Sequence, residues 1–188
     1  MLSTPMLALK AATVDEHARV EAAFDLSWVC SDLGHYRSTL TVFLSALDSL
    51  KKIRAQYSSS EALEFEPSRS VELIHADLSD LQSGCSTEPL ELGISTPCGF
   101  LGAMYVVEGS ALGGLIIAKA LRQGFGEDVP LRFFGGFGKQ AASVWREFGR
   151  RLDNHVRQHG CLEEVISGAK ILFEALEFEL SKRRCVHA

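Results

Sequence analysis

The chain of 188 residues lacks most of the signatures from which chemistry is read directly. Its five cysteines, Cys30, Cys85, Cys98, Cys161 and Cys185, are odd in number and widely spaced. No CxxC pair occurs and nothing in the linear order resembles a zinc framework, so reduced thiols in a cytoplasmic protein are the expectation. There is no GxxxxGK[ST] loop. Gly135-Gly136-Phe137-Gly138-Lys139 is glycine-rich, but it has neither that spacing nor a preceding strand. The opening residues, MLSTPMLALKAATVDEH, lack a cationic start followed by an apolar block, so no signal peptide is expected. The longest apolar stretch near the middle is broken by Glu108 and several glycines, which argues against a membrane span. A basic excess is missing too: 19 Lys+Arg stand against 24 Asp+Glu, a net charge of −5. That balance excludes a nucleic-acid partner, which needs a concentrated basic surface. It leaves open a small anion held by a few local cations.

Sustained two-residue alternation is also missing, and helical periodicity dominates. Thr4-Pro5 reads as an N-cap and first-turn pair opening a helix over 6–24, with Leu9, Ala12, Thr13, Val20 and Ala23 inward. Further helices are expected over 31–55, 71–81 (ended by Gly84), 96–121 (ended by Gly124-Phe125-Gly126), 139–158 and 161–184. A polar loop over 58–67 and a phenylalanine-rich connector over 130–138 join them. The expectation is all-α: one domain over 1–188, a bundle of six or so helices with short connections.

Two places break the pattern. His17 sits in the first helix with Glu21 four residues on, so both share a face and the carboxylate can orient the imidazole. An imidazole held this way is a well-prepared metal ligand; a surface ion pair is the plainer alternative. The second is the helix containing Gly102, Gly109, Gly113 and Gly114. Each interior glycine costs roughly 1 kcal/mol relative to alanine. Gly109 and Gly113, one turn apart, make a bare strip suited either to tight helix packing or to a planar ligand. A helix with a potential axial ligand and a helix with a bared backbone suit the two faces of a flat metal macrocycle.

At this point the residues resemble a known family. Leu9-Lys10-Ala11-Ala12-Thr13-Val14-Asp15-Glu16-His17 followed by Glu21 resembles the proximal-helix motif of haem oxygenases. Tyr105-Val106-Val107-Glu108-Gly109-Ser110-Ala111-Leu112-Gly113-Gly114 resembles their distal helix, above all in the bacterial branch associated with bacteriophytochromes. Phe133-Phe134-Gly135-Gly136 and the Trp145/Phe148/Leu152 spacing fit the same branch, and the likeness spans roughly residues 6–180. It implies a haem oxygenase fold with haem b between proximal and distal helices. The implied activity is oxidative opening of haem to biliverdin, carbon monoxide and ferrous iron, using O2 and electrons from an external reductase or ferredoxin. A bacteriophytochrome accepting the biliverdin is an implied partner.

By the same resemblance His17 is the axial iron ligand, supported by Glu21, and Gly109 and Gly113 are the distal glycines that contact the macrocycle. Lys10 matches a basic residue near the propionates, and Phe173 an aromatic near the ring. Tyr105, one turn before Gly109, reaches toward the pocket edge. Arg150 and then Arg146 are further cations expected for the propionates. Many relatives carry an aspartate after the first distal glycine, where it organises proton-delivering water; here Ser110 stands there. That departure supports an alternative, a haem or biliverdin carrier on the same fold. A helical thiaminase-like enzyme would need a nucleophilic cysteine with acidic neighbours, and no cysteine has that sequence context. The other histidines, His35, His75, His155, His159 and His187, are expected at the surface or satisfied in the core.

Overall fold

Thr4 and Pro5 open the first helix as their order predicts: the Thr4 hydroxyl accepts from the Leu7 amide at 3.3 Å, and proline occupies the first turn. The structure, a computed structural model, describes residues 4–57, 71–82, 87–136 and 138–186. The expected loop over 58–67, and with it Gly84, Cys85, Phe137 and His187, lies outside the described residues.

Every regular element among the described residues is helical. In chain order these are α1 (Pro5–Ala12), α2 (Val14–Phe24), α3 (Leu26–Val29), α4 (Leu33–Gln56), α5 (Val71–Asp80), α6 (Pro97–Phe125), α7 (Arg132–Gly135), α8 (Ala141–His159) and α9 (Leu162–Val186). A 3-10 turn, Gly138–Gln140, leads into α8.

The single helix expected over 6–24 is in fact two. Thr13 leaves the helical region (φ −120°, ψ 13°) and its hydroxyl donates to the Leu9 carbonyl at 2.9 Å, while its amide closes a three-residue turn onto Lys10. A threonine that bonds back into the preceding turn competes with the regular ladder, and the neighbouring β-branched Val14 adds to the crowding. The consequence is local: His17 lies at the start of a new helix, its amide bonded to the Thr13 carbonyl at 3.0 Å. The phenylalanine connector also holds a short helix, α7. Buried Asp77 of α5 caps it, accepting from the amides of Arg132 at 3.0 Å and Phe133 at 2.9 Å and pairing with the Arg132 guanidinium at 3.1 Å. That arrangement drives Phe133 and Phe134 into the core.

α6 is the central strut, 29 residues and about 43 Å long. It is apolar enough to cross a bilayer by composition, with a mean hydropathy of 1.7 over 18 residues, yet 61% of that stretch is buried inside the bundle. A core helix of a bundle has that same character. Its most extensive neighbour is α9, and glycine sets their distance. A side chain at Gly102 would fall onto the Val165 carbonyl, and one at Gly168 onto the Gly99 carbonyl. At Gly102, therefore, backbone-to-backbone packing accounts for the glycine. The buried apolar side chains of α4, α6, α8 and α9 form one contiguous cluster around this crossing.

Candidate functional site: an apolar cavity beside His17

Beyond the α6/α9 crossing the helices diverge and enclose a cavity of about 700 Å3, within the range of roughly 300–1,000 Å3 that small-molecule sites occupy. α1 and α2 supply Lys10, Thr13, His17 and Glu21, the middle of α6 supplies the stretch from Tyr105 to Ile117, and α9 supplies Leu172, Phe173 and Leu176. Phe43 of α4, Phe133 and Phe134 of α7, and Trp145 of α8 complete an aromatic wall. The lining is chiefly hydrocarbon, with polar groups confined to a few positions.

Eight of the ten site residues expected from sequence meet here: Lys10, His17, Glu21, Tyr105, Gly109, Ser110, Gly113 and Phe173 all line this one cavity. The His17 ring stands edge-on to Phe173, centroids 5.7 Å apart. Its Nδ1 lies 3.6 Å from the Glu21 carboxylate, near enough for attraction and longer than a hydrogen bond. The side chain of His17 is 58% exposed, so a ligand entering the cavity has an accessible ring to meet.

On α6 the two glycines differ. A Cβ at Gly109 would rest in van der Waals contact with the Trp145 ring at 3.4 Å, so indole borders that bare position. A Cβ at Gly113 would meet nothing within 4 Å. Gly113 therefore has no packing reason to be glycine, and it opens on the cavity. Helix α6 runs unbroken through all three of Gly109, Gly113 and Gly114. The Ser110 hydroxyl donates to the Val107 carbonyl at 2.7 Å, which engages its proton within the helix. Tyr105 is buried against Trp145, ring centroids 5.4 Å apart. Burial raises its phenol above the ordinary range, an effect that a hydrogen bond with Thr13 partly offsets.

Arg146 and Arg150 do not line the cavity. Both are exposed on α8, and Arg150 is held by Glu147 through contacts of 2.6 and 3.0 Å. An (i, i+3) carboxylate on the same helix captures that guanidinium, a local pairing that spacing along the chain already permitted. Lys10 is the cation at the cavity. A salt bridge from Lys170 to Glu16 at 3.0 Å and another from Arg19 to Glu177 at 2.8 Å pin α2 onto α9, and so fix the helix that carries His17.

Sequence reasoning missed the Thr13–Tyr105 contact and the aromatic wall from α7. It also missed a cluster elsewhere: Cys98, His155 and Cys161 bring their donor atoms within 4.8 Å of one another. His155 thus has a specific context and is not simply a surface histidine. Burial first, and then the neighbouring Cys161 thiol, push the Cys98 thiol up to about 12. That is the reverse of an activated nucleophile. Comparisons of the chain with protein-family models, with curated proteins and with solved structures find no match to any of them.

Proposed function

We propose that this chain is a haem oxygenase, with haem as both cofactor and substrate. The observation that carries the reading is the convergence of His17, on α2, and Gly113, a glycine with open space beside it on α6, on one apolar cavity. A flat, hydrophobic, iron-bearing ligand uses both features at once. Haem would bring an iron that binds O2 and a ring that is itself opened, yielding biliverdin, carbon monoxide and ferrous iron.

The chain's own residues supply the setting. His17 would ligate the iron with a neutral imidazole, and Glu21 would hold the other ring nitrogen so that the tautomer is fixed. A histidine, unlike a thiolate, does not push electron density toward O–O cleavage. Phe173 limits rotation of the His17 ring from its edge. Gly113 lets a ligand approach the α6 backbone, and the indole of Trp145 behind Gly109 closes one side of the slot. Lys10 answers the negative charge of the propionates, with Arg146 and Arg150 outside the lining and thus secondary.

Ser110 takes the position where an aspartate would organise water. With its proton on the Val107 carbonyl, it serves a distal water as an acceptor and supplies no formal charge. Proton delivery then falls to water chains rather than to an ionised side chain. The electrons come from a separate reductase or ferredoxin, and a bacteriophytochrome is the proposed consumer of the biliverdin.

The test is spectroscopic. Hemin added to the purified chain should give a Soret band of a histidine-ligated haem, and His17→Ala should abolish it. Reductant and O2 should then produce the absorption of biliverdin. Absence of a Soret band sinks the proposal, whereas a band without ring opening favours the carrier.

A further inference from the structure

Three cysteine and histidine side chains meet at the start of α6, away from the cavity-facing glycines in its middle. Cys98 is in the first turn of α6, immediately after Pro97. His155 lies near the end of α8, and Cys161 stands directly before α9. Gly160 makes their meeting possible: in the left-handed conformation (φ 66°) it caps α8, its amide bonded to the Val156 carbonyl at 2.9 Å, and turns the chain back. The His155 Nε2 lies 3.7 Å from the Cys98 Sγ, and all three donor atoms fall within 4.8 Å of one another. Cys161 is buried and the other two are half-buried.

We propose that Cys98, His155 and Cys161 form a Zn2+ site, three protein donors with a fourth position for water, independent of the haem-binding cavity. The distances are those a metal needs. With Zn–S near 2.3 Å, Zn–N near 2.0 Å and tetrahedral angles, a sulfur and a nitrogen on one zinc lie about 3.6 Å apart and two sulfurs about 3.8 Å. The sulfur-to-nitrogen distance of 3.7 Å already matches, and the outer limit of 4.8 Å leaves about 1 Å to close by small side-chain rotations. Two thiolates and one imidazole are a soft donor set that selects zinc over magnesium or calcium.

The surroundings favour a cation as well. The Glu164 carboxylate, one turn into α9, adds its negative charge beside Cys98. The ring of His159 packs on that of His155 at 4.3 Å between centroids, restricting its rotation. Three helices converge on the cluster, so an ion there would tie the start of α6 to the α8–α9 turn.

The experiment uses the untagged full-length chain, reduced, stripped with a chelator and free of hemin. Titration with Co2+ should give thiolate-to-cobalt charge transfer and the visible bands of a tetrahedral ion, saturating at one ion per chain, and Zn2+ should displace it. Cys98→Ser should lower the charge-transfer intensity by about half, and His155→Gln should weaken binding by about tenfold or more while leaving that band. A second measurement needs no variant: with Zn2+ bound, alkylation should spare Cys98 and Cys161 while Cys185 still reacts. No thiolate–cobalt band at equimolar Co2+, or a band unchanged in Cys98→Ser, overturns the assignment. So does alkylation of Cys98 and Cys161 that proceeds in the metal-free chain and is not slowed by Zn2+. Hemin enters none of these readouts, so failure of this site and failure of the haem reading are separable.

Discussion

Replacing Gly113 by alanine should make the chain more stable and, under the proposed function, a poorer receptor for haem. Alanine gains in the unfolded-state entropy and helix preference that glycine forfeits, about 0.4–1 kcal/mol where the backbone is already helical and nothing obstructs the methyl. Both conditions hold: Gly113 is inside α6, and its Cβ position has no neighbour within 4 Å. For a chain of this size each kcal/mol moves the melting temperature by about 2–4 °C, so a rise of about 1–4 °C is expected. The same methyl projects where a planar ligand would lie against the helix. Overfilling a fitted contact costs about 1–3 kcal/mol, which is roughly a 5- to 150-fold loss of affinity. Thermal unfolding of the ligand-free chain and hemin titration of the same samples check the two halves. A fall in melting temperature would refute the geometry of open space at Gly113. A rise with unchanged hemin affinity would refute its role in the cavity. Gly102→Ala is the contrast, because its methyl meets the Val165 carbonyl and should destabilise the α6/α9 crossing severely.

Other outcomes follow from the same geometry. Asp77→Ala leaves the Arg132 and Phe133 amides without their buried acceptor while the guanidinium keeps Asp80 at 2.7 Å, so a loss of about 2–4 kcal/mol in denaturant unfolding is expected. Glu16 is held below its ordinary carboxylate range, first by a backbone hydrogen bond and then by Lys170. A depressed carboxylate stabilises the fold above its unfolded pKa of about 4.3 and loses that contribution as the pH falls through the folded value. Glu16→Gln should therefore be less stable than the parent near neutrality, with the gap closing below about pH 4; a constant gap across a pH series of melts would contradict this.

How much of this was legible in the sequence depends on whether the cause is local. Periodicity located the long helices to within a few residues, and Gly126 and Gly160 end α6 and α8 as glycine should. The break at Thr13 was hidden because its cause is a single hydroxyl choosing the Leu9 carbonyl. The short helix α7 was hidden because its cap comes from Asp77, on another element. In the cavity, His17, Glu21 and Gly113 stood out because each breaks a local expectation. Arg150 looked equally available, yet its partner Glu147 was three residues away and took it. The cysteine–histidine cluster had no linear signature at all: 57 positions separate Cys98 from His155, and only the turn at Gly160 brings Cys161 to them.

The glycines of α6 separate what the fold requires from what the proposed ligand would require. Gly102, with Gly168 opposite it, is glycine because another backbone occupies the space of its side chain. Gly113 is glycine although that space is open. In a lineage that kept this bundle but abandoned its ligand, the first two positions would stay fixed while the third drifted to alanine or larger residues. Under the proposed function, the pattern of substitution on α6 and α9 would then mark the loss of the ligand.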